Sequence, residues 1–121
     1  MKTEKVSIKT HNGKSYIFLN LAGLSGKDVV DTLNEFRTLV LANKFAHLPS
    51  LTDVTDARIS GETFDKLKIT AKEVRPFLGK RAVVGLSLAK RILANTVNLF
   101  AGSQPTKYFD DIEAAKNYVI L

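Results

Sequence analysis

Hydrophobic and polar positions change period several times along this chain, and each change marks an element. Residues 5–10 alternate, with Val6 and Ile8 on one side and Lys5, Ser7 and Lys9 on the other. That predicts an edge strand with one wet face. Asn12-Gly13 follows between two apolar runs. Both residues tolerate positive φ, so a type I′ hairpin is expected. Tyr16-Ile17-Phe18-Leu19 is apolar on both faces and predicts an interior strand to about Leu21. Ser25 then stands as an N-cap with Asp28 three residues on, and Val29, Leu33, Phe36 and Val40 line one face of a helix ending near 42–44.

Phe45 to Pro49 reads as a connection, and residues 51–55 as a short strand followed by a turn at Asp56-Ala57-Arg58. Ser60 is placed to cap a second helix with an apolar stripe at Phe64, Leu67, Ala71, Val74 and Leu78. Pro76 stops it near Arg75. Ile69 falls on the far side of the stripe. Residues 82–86 are apolar throughout and predict a central strand. Ser87 is placed to cap a third helix with Ala89, Ile92, Leu93, Thr96 and Phe100 inward, and it ends at Gly102–Pro105. Residues 106–109 form a last short strand. Asp110 and Glu113 have capping-box spacing before a final helix carried by Ile112, Ala115 and Val119.

The order β-β-α-β-α-β-α-β-α predicts the α/β class: a mixed, mostly parallel sheet of about five strands flanked by four helices. At 121 residues, with 45% hydrophobic and 25% charged residues, the chain suits a single domain over 1–121. The absence of Cys excludes disulfides and thiolate metal sites, and two histidines leave little for a metal cluster. No cofactor is expected. No apolar run approaches the ~18 residues of a membrane span, and the N-terminus has no apolar signal region, so the expected location is the cytoplasm.

Charge adds a second layer. The formal charge is +6, yet Lys66 to Arg91 holds eight basic residues and one acid, Glu73. Lys66, Lys72, Arg75, Lys80, Arg81, Lys90 and Arg91 are therefore candidates for a surface that meets an acidic partner, with Ile69 as an apolar contact among them. A solvated basic face is the plainer alternative.

In parallel sheets, chemistry gathers beyond the C-terminal strand ends. Here those ends carry Asp53, Thr55 and Asp56, then Gly85 and Ser87. Gly85-Leu86-Ser87-Leu88-Ala89 mimics a nucleophile elbow, but no histidine follows Ser87 to act as base. A phospho-acceptor receiver would need an acidic pair after the first strand, and no acid lies between Lys5 and Asp28. No enzyme emerges.

LTDVT at 51–55, AVVGLS at 82–87 and FDDIEAA at 109–115, in that order and spacing, resemble the small stand-alone STAS-type proteins. These are relatives of anti-sigma-factor antagonists, grouped with STAS/SEC14-like domains. The resemblance runs from about Ser15 to Val119. It implies a bacterial-type, non-enzymatic regulatory module that binds a protein partner. It also implies a phospho-acceptor between the third strand and second helix, where Thr55 and Ser60 stand; the family's Asp-Ser pair is replaced by Val54-Thr55-Asp56. Alternatively Thr55 ends a strand and Ser60 caps a helix. SEC14-like relatives imply a rival, an anionic or lipid ligand met by Lys80, Arg81 or Lys90. Nucleic acid ranks below both because no recognition motif accompanies the charge. A homodimer is left open.

Overall fold

The computed structural model describes residues 5–43, 47–59, 61–87 and 106–120. Five strands, β1 (Val6–His11), β2 (Lys14–Asn20), β3 (Leu48–Asp53), β4 (Leu78–Val84) and β5 (Thr106–Phe109), form one sheet in the order β1-β2-β3-β4-β5. β1 and β2 are antiparallel and the remaining pairs parallel, as the alternation of elements predicts. Three α-helices lie among the described residues: α1 (Lys27–Asn43), α2 (Glu62–Val74) and α3 (Ile112–Val119). The helix expected after Ser87, with Lys90 and Arg91, lies outside the described residues, as does Ser60.

The hairpin follows from two residues. Asn12 and Gly13 adopt φ of 50° and 79°, which closes β1 onto β2 with His11 opposite Lys14. His11 ends β1, and its Nε2 lies 3.0 Å from Asn117 Oδ1 on α3. Alternation along β2 then splits the core. Ile17, Leu19 and Leu21 pack with Val29, Leu33, Phe36 and Val40 of α1 and with Leu67 and Val74 of α2. Tyr16, Leu51, Ala82 and Val84 pack with Ala115 and Val119 of α3. Both faces of the interior strands are covered, which accounts for their continuous apolar runs.

Several boundaries move for identifiable reasons. β3 starts at Leu48 and includes Pro49, because the register with β4 shifts between Leu48 and Ser50 and so spares the missing proline N–H. β4 begins at Leu78, after a 3-10 turn over Arg75–Phe77 that holds Pro76. It ends at Val84, where Gly85 turns out of line at φ +87°. Ser25 forms a β-bridge with Arg58 while α1 begins two residues later, past Gly26 at φ +54°. Gly61 is the N-cap of α2. Asp111, not Asp110, caps α3, its carboxylate accepting from the N–H groups of Glu113 and Ala114. Ile8 is 48% exposed although it shares a face with Val6.

Candidate functional site

The residues following β3 form the best-organised turn at the C-terminal edge of the sheet. Asp53, half-buried at the end of β3, accepts through one oxygen from both the N–H (2.9 Å) and the hydroxyl (2.7 Å) of Thr55. A short acidic side chain folding back on its own backbone is the natural chemistry of such a turn. Val54 N–H donates to the Val84 carbonyl, and the Thr55 carbonyl accepts from Gly23 N–H at 2.9 Å. Asp56 completes the reversal at φ +57°. Thr55 and Asp56 are exposed.

Gly85 is the hidden partner of this turn. A β-carbon there would stand 2.7 Å from the Thr55 α-carbon and collide with its hydroxyl. Its positive φ independently favours glycine. Gly85 N–H donates to the Phe109 carbonyl, so the ends of β3, β4 and β5 are linked at this spot. Sequence reasoning saw Gly85 as a strand end; the contact with Thr55 depends on tertiary packing. Ser87 is exposed nearby in sequence.

α2 leads away from the turn. Its buried residues are Thr63, Leu67, Thr70 and Val74, while Phe64 and Ala71 are partly buried. Ile69 stands 56% exposed on the outer face, flanked by exposed Lys68 and Lys72. Glu73, the one acid of the basic segment, turns toward α1: Arg37 Nε and Nη2 both lie 2.6 Å from its Oε2. That hydrogen bond holds the Glu73 carboxyl below its ordinary range, with burial opposing and the Arg37 and Lys66 charges assisting. Lys66 and Arg75 are half-buried.

The strand cations do not continue the outer face of α2. Alternation sends Lys80 to the α3 side, where its ammonium sits 5.3 Å from the Tyr118 ring centroid, beside Lys107 at 5.1 Å. Arg81 points to the other side and is only 7% exposed, beneath α1 and α2. It is therefore removed from the surface on which the sequence pattern grouped it. The earlier start of β4 explains both placements. Among the described residues no group of three or more His, Cys, Asp and Glu could hold a metal ion, and no helix is long and apolar enough to cross a membrane.

No protein-family model matches the chain, and no curated protein matches it. A solved structure does. An uncharacterized protein of the DUF3478 family with a SpoIIAA-like fold, from Shewanella loihica PV-4, superposes with a TM-score of 0.75. The match covers 98% of each chain at 15% identity. The chain thus has the SpoIIAA-like fold, which is the STAS or anti-sigma-factor-antagonist fold, and the resemblance read from its sequence is borne out at that level.

Proposed function

We propose that this chain is a non-enzymatic regulatory module that works by docking on a protein partner. Its contact surface is the Asp53–Asp56 turn together with the outer face of α2. The observation that carries the reading is the state of Thr55. It is exposed, lies beyond a parallel strand end, and has its hydroxyl held 2.7 Å from an acidic oxygen. Phosphorylation there would remove the hydroxyl proton donated to Asp53 and add about −1.5 to −2 charges beside it. The turn would have to reopen, and the adjoining helix would present a changed surface. Ser60, in the same connection, is the second candidate acceptor.

Ile69 among Lys68, Lys72 and Lys66 suits a partner with an apolar groove rimmed by carboxylates. The assignment is tested by replacing Ile69, and separately Ile8, with a photo-crosslinking amino acid in the native host. Both are exposed aliphatic side chains, at 56% and 48%. A discrete adduct is expected at position 69, absent at position 8, and lost when Lys72→Glu is added. Equal labelling from both positions, or none from 69, refutes this docking surface.

A further inference from the structure

The Thr55 turn carries a positive charge of its own. Arg58 is the only Lys or Arg between Lys44 and Lys66, and it stands three residues after Thr55. The backbone between them is fixed. The Val54 carbonyl accepts from Ala57 N–H at 2.9 Å, which closes a four-residue turn with Asp56 at its positive-φ position. Both ends of the reversal rest on one neighbouring segment: Gly23 N–H donates to the Thr55 carbonyl, and Arg58 N–H donates to the Leu24 carbonyl, each at 2.9 Å. Val54 and Ala57 are turned into the core, and Ile59 packs against it. Thr55, Asp56 and Arg58 are left exposed.

Among the described residues the Arg58 guanidinium makes no hydrogen bond and no ion pair. Asp53, the nearest acid before Thr55, is occupied by the Thr55 N–H and hydroxyl. A phosphate on Thr55 changes that balance. Phosphoryl transfer from a nucleoside triphosphate forms an Oγ–P bond, breaks a P–O bond of the donor, and releases the hydroxyl proton with a nucleoside diphosphate. The phosphate dianion has only acceptors, so it cannot donate to Asp53, and Asp53 and Asp56 both repel it. A guanidinium offers a planar fork that matches phosphate oxygens two at a time.

We propose that Arg58 is the internal receptor for a phosphate on Thr55. The turn then has two closed arrangements: the Thr55 hydroxyl on Asp53, or the Thr55 phosphate on Arg58. This rests on Thr55 as the phospho-acceptor and deepens that reading. The modified turn is re-formed and not merely loosened, which gives a partner two defined surfaces to tell apart.

The sample is the whole 121-residue chain with phosphothreonine built in at position 55, so neither a kinase nor a partner is needed. Phosphorus NMR reads the second ionisation of the phosphate. With Arg58 present it should lie about half a pH unit below that of the Arg58→Gln form, because an adjacent cation favours the dianion. Lys14→Gln removes the same charge at the far edge of the sheet and should leave the ionisation where it is. Arg58→Gln should also lower the melting temperature of the phosphorylated chain and leave that of the unmodified chain unchanged. Equal ionisation with and without Arg58, an equal shift from Lys14→Gln, or the same melting change in both chains overturns the proposal. None of these results touches the docking surface. Conversely, a partner still held by Thr55→Glu removes the docking reading and leaves the Arg58 measurement standing.

Discussion

Thr55 is fixed by contacts from three separate segments: the Asp53 carboxylate, the Gly23 N–H and the backbone of Gly85. The last of these makes a specific demand on one residue. Gly85→Ala must accept both a positive φ and a collision with Thr55, so it should destabilise the fold by about 2 kcal/mol. Urea denaturation measures this, and a variant as stable as the wild type would mean the turn is not packed against the end of β4. Thr55 itself was legible as a candidate, because a polar residue after a short apolar strand needs only local pattern to be noticed. Gly85 was legible as a breaker but not as a partner, since residues thirty apart in sequence meet only once the parallel register is set. Arg81 was misplaced for a related reason. Charged residues are read as surface by default, and a strand read as starting at Ala82 hides the alternation that turns Arg81 inward.

At the level of elements, α1 and α2 are joined outside their apolar contact by the Arg37–Glu73 pair. Glu73 has its folded-state pKa lowered, so the ionised pair stabilises the fold above the ordinary Glu range. That contribution disappears as the pH falls through the lowered folded-state value. Glu73→Gln should therefore lower the melting temperature modestly at neutral pH, and the difference from wild type should close on acidification. A difference that is constant with pH would show that the glutamate acts through packing and not charge. The same helix shows how far hydrophobic pattern reaches. Leu67 and Val74 were found by their spacing, while Thr63 and Thr70 were passed over as polar although they occupy the same buried face. β-branched threonine can fill an apolar position, and its hydroxyl then needs a partner. The cap of α3 was read one residue early because Asp110 and Asp111 are adjacent and only geometry chooses between them.

For the whole molecule, one mixed, mostly parallel sheet flanked by helices follows from the order of elements, while the structure puts α1 and α2 on one face and α3 on the other. Short connections and right-handed crossovers leave few other arrangements. Among the described residues, folding separates Lys80 and Arg81 from the outer face of α2. The basic segment is distributed over the outer face of α2, the α3 face at Lys80 and the interior at Arg81. Among the described residues no continuous basic face runs across these elements, and the proposed partner would meet α2 and the Thr55 turn. Affinity capture from native cells, quantified by mass spectrometry, tests that claim most directly with four baits: wild type, Thr55→Glu, Ile69→Asp and Lys14→Glu. Lys14 lies exposed in the hairpin at the opposite edge of the sheet and serves as the control. The expected result is one protein retained by wild type and Lys14→Glu and lost from the other two, with Ile69→Asp and Lys14→Glu melting like wild type and Thr55→Glu still folded. The same proteins retained equally by all four baits would contradict it.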